Sequence, residues 1–547
     1  MVATEYRTGK TKELWDKDLK ALSAAPFNIG PDSLFVAYYA SAEFGCFLSL
    51  GWELPENVLD LYVEFRNLTN GMELPCGKGL LGALVFFGES AMAISEKDEM
   101  RQLILAGGPW TLSQRQQILR YCAQDVQALS KLLARMRPLL DMPRALLRGR
   151  YMKTAALMEH NGIPLDTQTY LTLTRNWDVI KESLITNVDV HYGVYDNGSF
   201  RESLFRKWLR REGIPWPELP SGTLDLKDET FKDMAKSYPQ LTLLRELKVS
   251  LSQMRLSELA VGTDSRNRCI LSAFSSRTGR NQPSTSKFIF GPAVWIRSLI
   301  QPAPGYAVAY IDWSQQEFGI AAALSGDPNM MEAYISGDPY LTFAKQARAV
   351  PADATKQSHS KEREGFKACV LATQYGMGPA SLAKRIRRPI SEARDLLKLH
   401  RETYRKFWEW SDTVVNHAML YGKLYTAMGW HIHIRKDPNP RSIRNFPMQA
   451  NGAEMLRIAC CLMAEREVKV CAPVHDAILI EAPISQIEND VMRAKLAMSE
   501  ASAIVLDGFP LNTDAKIFRY PDRYHDPRGE MMWETIQGIL KTLKGGQ

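Results

Sequence analysis

Two apolar runs, residues 470–474 (VCAPV) and 477–481 (AILIE), are separated by nothing but His475 and Asp476. Short runs rich in Val and Ile form strands, and so small a gap joins them only as a tight hairpin. An aspartate at a hairpin tip is usually a turn residue and no more. Flanks this apolar make the hairpin a core element, which fixes the Asp476 carboxylate at its end. Residues 306–311 form a similar run ending on Asp312, and residues 315–324 then read as a helix. Asp312 thus stands where a strand meets a helix, and taken alone it reads first as an N-cap.

Two such carboxylates facing each other across a sheet repel unless a cation lies between them. Mg²⁺ takes oxygen ligands and keeps positions open for phosphate oxygens. A third segment supplies positive charge. Arg363, Lys367, Leu371 and Tyr375 follow one another at i, i+4 on one helix face, and Gly376, Gly378 and Pro379 end the helix. The cations lie toward its N-terminal half, where the helix dipole also favours anions. By itself this is a solvated basic face. With the two aspartates it is a place for a triphosphate, and the set has the composition of a two-metal phosphoryl-transfer site.

The 547 residues, 45% hydrophobic, suffice for about two to four domains. A net charge of +7 permits a nucleic-acid partner without requiring one. The eight cysteines include no CxxC pair, so they read as reduced thiols rather than zinc ligands. No apolar run approaches a membrane span, and residues 1–15 lack the apolar core of a signal peptide, so a cytoplasmic protein is expected.

Residues 1 to about 145 read as α/β. A hairpin is expected over residues 2–15, a strand over 34–39, a helix over 44–50 capped by Gly51, and a long helix over 114–136. Residues 146–265 look mostly helical, and a boundary is expected near residues 264–268. Strand and helix patterns mix from 266 to 547.

The three chemical segments resemble motifs A, B and C of family A DNA polymerases, the DNA polymerase I class. Motif A there is D-Y-S-Q-x-E, and here Asp312-Trp313-Ser314-Gln315-Gln316-Glu317. Motif B is R-x3-K-x3-F/Y-x3-Y-G, matched by Arg363, Lys367, Leu371, Tyr375 and Gly376, and motif C, H-D-E, by His475-Asp476-Ala477. Thr278-Gly279-Arg280 resembles the family's T-G-R, and Arg441, Asn445, Pro447 and Gln449 resemble its R-x3-N-x-P-x-Q. Any one match is weak; all in order over about 200 residues are specific.

The resemblance implies a right-hand fold after an N-terminal domain. The palm is expected over about 266–340 and 400–547, the fingers over about 341–399 and the thumb over 146–265. It implies two Mg²⁺ ions on Asp312, Asp476 and the Trp313 backbone carbonyl, with Asp312, Asp476 and Lys367 catalytic. Arg363, Lys367, Leu371, Tyr375, Gln315, Glu317 and Tyr340 are expected around the nucleotide. Arg280, Arg441, Asn445, Gln449 and His475 are expected on primer-template DNA. There are departures. Leu371 replaces an aromatic under the sugar, Ala477 the third acid of motif C, Gly319 a motif A arginine that makes a structural ion pair, and Tyr340 a fingers histidine. Glu317 is kept and would crowd a 2′-hydroxyl, which favours deoxynucleotides.

Residues 1–145 resemble the RNase H-like DEDDy 3′–5′ exonuclease domain of the same family. Glu43 takes the aspartate position of its second motif, with Tyr39 in the asparagine position, and Tyr121 and Asp125 match its Y-x3-D third motif. The first motif, D-x-E, is not found. Residues 2–15 read as the second hairpin of the sheet, with the first strand upstream of residue 1. A metal carboxylate is then missing, and exonuclease activity is expected to be weak or absent.

The expected function is template-directed addition of deoxynucleotides by a phage-like monomer, with dNTPs, primer-template DNA and other replication proteins as partners. The alternatives are a non-catalytic DNA-binding relic and a single-subunit RNA polymerase.

Overall fold

The computed structural model of the protein describes residues 1–547 apart from 90–93, 254–255, 292, 375, 387 and 546–547. Its centre is an antiparallel sheet in the order Val470–Val474, Ala477–Pro483, Tyr306–Trp313, Thr513–Arg519. Side chains alternate across these strands. Ala307, Ala309, Ile311, Ile478 and Ile480 enter a core shared with helices Pro440–Glu465 and Ile487–Val505. Val308, Ala472, Val474 and Leu479 enter a second core shared with Met532 and Ile536 of helix Glu530–Gly545. Both faces are covered, which is why the strands read as nearly unbroken apolar runs.

The second core continues into helices Thr167–Arg175, Trp177–Asp189, Glu202–Arg211, Asp228–Ser237 and Leu241–Gln253 through Leu173, Leu184, Phe205, Trp208, Phe231 and Leu244. On the other side stand helices Pro339–Gln346, Ser360–Gln374, Pro379–Ile386 and Ile390–Thr403. His400 is buried at their base, where its Nδ1 accepts from Trp408 Nε1 at 3.2 Å and its ring packs on Phe343 and Tyr404. Burial depresses its pKa to about 3. A histidine depressed in the folded state contributes stability that is lost as pH falls below its unfolded value near 6.5. Between pH 8 and pH 5 His400 should therefore cost about 2 kcal/mol of folding free energy. Denaturant unfolding at both pH values checks this: His400→Gln should remove that share of the acid sensitivity, and equal slopes in the two proteins would refute it.

The N-terminal region differs from its sequence reading in detail. The hairpin is shorter, Val2–Thr4 with Thr11–Glu13, and it does not hydrogen-bond to the parallel pair Leu34–Ala37 and Asn57–Asp60. The expected single sheet is thus two separate pairs among the described residues. The strand expected to reach residue 39 stops at Ala37 because the Asp60 carboxylate takes the N–H groups of Tyr39 and Ala40 at 3.0 and 2.7 Å. This starts helix Ala40–Leu50 earlier than the pattern suggests. Asp60 also caps helix Leu61–Thr69 through Tyr62 and Val63. It is buried, and burial pushes its pKa up to about 6 against these four donors.

Helix Met142–Asn161 ties this region to the rest, and the boundary expected at 145 falls inside it. A Cβ on Gly149 would lie 1.9 Å from the Val58 carbonyl oxygen, so only glycine lets the helix lie this close to the strand. Arg148 forms a bidentate pair with Glu64 at 2.6 and 2.7 Å, both side chains buried. The opposite side meets helix Pro440–Glu465 through Arg150 to Glu465 and Thr154 to Cys461. No described helix is long and apolar enough to cross a membrane.

Candidate active site

Asp312 lies within strand Tyr306–Trp313 and does not cap the following helix Gln316–Ser325, whose N-cap is Gln315 in a left-handed conformation. The register sets Asp312 opposite Ala477 on one side and Asp514 on the other. Asp476 is the residue before Ala477, and its carbonyl receives the Trp313 N–H at 3.5 Å. Directly paired strand residues have Cα atoms about 4.5–5.5 Å apart, so Asp312 and Asp476 are close neighbours at one end of the sheet. Burial, then Asp476, then Asp514 push the Asp312 carboxyl above the usual range, with Lys516 opposing. A pair of oxygen donors held at such a cost fits a hard divalent cation. Among the described residues no group of three or more His, Cys, Asp or Glu is arranged to hold a metal.

Asp514 was not anticipated. Its strand, TDAKIFR, alternates polar and apolar residues, which marks an edge strand but not the partner it pairs with. Ser314 Oγ donates to Asp514 Oδ2 at 2.5 Å, and Ser314 N–H to the Asn512 carbonyl at 2.9 Å. Tyr334 closes the network: its hydroxyl donates to the Ser314 carbonyl at 3.1 Å and accepts the Asn512 N–H at 2.9 Å. Gly319 explains how it fits, since a Cβ there would lie 2.6 Å from Leu511 and 2.8 Å from the Tyr334 ring. The space that a side chain at position 319 would need is filled by a tyrosine that ties the Asp312 strand end to the edge strand. A glycine in an apolar helix was the available sequence signal. Tyr334→Phe should leave the Asn512 N–H without its acceptor and lower stability by about 1–3 kcal/mol. Primer extension should slow as well; a variant that melts and extends like the wild type would refute the bracing role.

Arg363, Lys367 and Tyr340 are also brought together, with both cations engaged by acids. Arg363 Nε donates to Asp338 at 2.6 Å, its Nη1 to Glu364 at 2.9 Å, and its guanidinium lies 5.4 Å from the Tyr340 ring centroid. Lys367 is half exposed, 3.7 Å from Glu364 and 6.0 Å from the Tyr340 ring. Tyr340 is thus the common surface of both cations. Leu371 is partly buried on the same helix; Tyr375 lies outside the described residues.

Arg280 lies 3.7 Å from Glu317, joining the T-G-R turn to the helix after Asp312. Its charge also reaches His475, whose pKa is lowered by desolvation and then by Arg280, Arg297 and Arg528, against Asp476. His475 itself turns the hairpin in a left-handed conformation. Arg441 is in the first turn of helix Pro440–Glu465 and packs on Gly376, where a Cβ would meet its Cγ at 2.8 Å. Asn445 and Gln449 follow on that helix, both partly buried. In the N-terminal region Glu43 is on helix Ala40–Leu50, and Tyr121 and Asp125 are on helix Leu112–Met136. Burial and then Asp125 raise the Tyr121 pKa to about 12. That helix packs on strand Val2–Thr4.

The DNA polymerase family A model matches residues 290–519, the stretch holding the four-stranded sheet and helices Pro339–Gln346 to Ile390–Thr403. DNA polymerase I of Aquifex aeolicus is 22% identical over 439 residues, covering 73% of this chain and 75% of that protein. The DNA polymerase of Mycobacterium phage L5 is 22% identical over 403 residues, covering 71% of this chain and 65% of its own. The thermostable DNA polymerase I of Thermus thermophilus is 26% identical over 221 residues, only 26% of its length. Among solved structures, the POL domain of Pol1 from M. smegmatis, in complex with DNA primer-template and dNTP, superposes with a TM-score of 0.67 at 20% identity. That match covers 90% of this chain and 86% of the M. smegmatis one. Over residues 290–519 the chain is thus similar to the DNA polymerases of family A.

Proposed function

We propose that the chain is a template-directed DNA polymerase that adds deoxynucleotides to a primer 3′-hydroxyl. The observation that carries this is the register that sets Asp312 opposite Ala477, the residue after Asp476, at the end of a sheet buried on both faces. Asp312, Asp476 and the Trp313 carbonyl are the groups that would hold two Mg²⁺ ions, which when bound supply Lewis-acid stabilisation of the reacting oxygens. Ser314 and Tyr334 keep the Asp312 strand end fixed to the edge strand. Arg363 exchanges Asp338 for a phosphate oxygen, a swap of one charge-assisted contact for another. Lys367 carries a proton that the departing pyrophosphate can take. Gln315, Leu371 and Tyr375 complete the nucleotide site, and Glu317, steadied by Arg280, crowds a 2′-hydroxyl.

Arg280, Arg441, Asn445, Gln449 and His475 bind the primer-template, through phosphates and the minor groove. Glu43, Tyr121 and Asp125 form the exonuclease-like set of the N-terminal region. The test is primer extension with Mg²⁺ and either dNTPs or rNTPs. Extension with dNTPs alone is expected. Equal use of rNTPs would favour an RNA polymerase, and DNA binding without extension would favour a relic.

A further inference from the structure

Helix Leu61–Thr69 of the N-terminal region reaches the loop that leads into Thr278-Gly279-Arg280. Arg66 is 2% exposed. Its Nη2 donates to the carbonyls of Ser275 at 2.6 Å, Phe274 at 3.2 Å and Ser276 at 3.4 Å, and its Nε to Phe274 at 3.3 Å. A buried guanidinium is spent on consecutive backbone carbonyls. The next carbonyl, Arg277, accepts from Asn70 Nδ2 at 2.7 Å, and the same amide donates to His431 at 2.7 Å. From the palm side, Trp430 Nε1 donates to the Arg277 carbonyl at 3.0 Å, and Arg457 Nη1 to the Gly279 carbonyl at 2.7 Å.

The loop needs these contacts. Ser272 and Phe274 are non-glycine residues with φ of +49° and +57°, conformations that persist only where surroundings over-determine them. Gly279, at φ +75°, turns tightly against the Trp430 indole, 3.2 Å from where a Cβ would sit. The loop's own cations are left to face outward: the Arg277 side chain is exposed, and Arg280 lies beside Glu317. One side of residues 274–277 is thus held by the N-terminal region, while the charges they present belong to the DNA side.

We propose that Arg66 is a positioning residue for primer-template binding, and that the N-terminal region serves as the brace of this loop independently of any hydrolysis. Resting on the polymerase reading above, Arg66 fixes the carbonyls of residues 274–276 so that Arg277 and Arg280 meet backbone phosphates in register. Contacts that act through a shared loop modulate distant binding by a few-fold to about thirtyfold.

The test uses the full chain with Arg66→Lys, which keeps the charge but not the fork that spans three carbonyls. Asn70→Ser is the second variant, attacking the same loop through another side chain. Equilibrium binding to a primer-template duplex is measured across a salt series, with KM and kcat for extension and the melting temperature. Arg66→Lys should weaken binding about tenfold and flatten the slope of log affinity against log salt by about one, as one phosphate contact is lost. KM for primer-template should rise more than kcat falls. If Arg66→Lys melts well below the wild type, Asn70→Ser must give the weaker binding and flatter slope. Unchanged affinity and slope in a variant that melts like the wild type overturns the proposal. A wild type that binds the duplex but extends no primer would instead sink the polymerase reading, with the Arg66 effect still readable in the binding data.

Discussion

Asp476→Ala is expected to abolish primer extension while the protein still binds duplex DNA and melts no lower than the wild type. Asp476 turns the hairpin beside the end of the Asp312 strand, and Asp312 is pushed up by burial and by Asp476 and Asp514. Removing one carboxylate relieves that repulsion in the metal-free protein, so stability should hold or rise, the usual trade between a strained site and its function. The same change removes one of the two side chains that would share the cations. Losing about 4 kcal/mol of transition-state stabilisation corresponds to about a thousandfold in rate, and a site deprived of one of the two carboxylates that would hold its cations should lose at least that. Melting in Mg²⁺ gives a readout free of turnover: the wild type should gain stability on adding the ion by mass action, and the variant should gain little. Unaltered extension, or an equal Mg²⁺ effect in both proteins, would refute the assignment.

Arg148→Met should be the most damaging substitution remote from the site, costing about 3–5 kcal/mol. Arg148 and Glu64 form a two-pronged pair with side chains only 6% and 3% exposed. Methionine fills the space of the arginine stem but strands the Glu64 carboxylate in the core, and an unpaired buried charge is far costlier than the pair was beneficial. The double variant Glu64→Gln with Arg148→Met should recover most of the loss, since no charge is then stranded. Glu64 is on the same helix as Arg66, so the single variant should also loosen the loop at residues 274–277 and weaken primer-template binding. Thermal unfolding of the two single variants and the double variant checks this, and a double variant no better than Arg148→Met alone would contradict it.

Much of the site was legible in sequence because its parts are local. The hairpin around Asp476 follows from two short apolar runs and the gap between them, and the structure has Val470–Val474 paired with Ala477–Pro483. The helix bearing Arg363 and Lys367 follows from its spacing and its glycines and is observed over Ser360–Gln374. The engagement of Arg363 by Asp338 was not legible, because a local pattern gives the face of a helix but not the acid that a neighbouring helix brings to it. The N-terminal sheet was misjudged for a similar reason. Asp60, about twenty residues downstream, takes the backbone N–H groups that would otherwise extend the strand.

Residue order alone therefore marked the candidate groups: acids where apolar strands end or turn, a basic helix face and the turn before Arg280. Tertiary pairing decided what surrounds them. The register that sets Asp514 opposite Asp312, the Tyr334 bridge over Gly319 and the grip of Arg66 on residues 274–276 join positions far apart in the chain. Strand register and buried hydrogen bonds are fixed by mutual packing, and no window of sequence contains both partners.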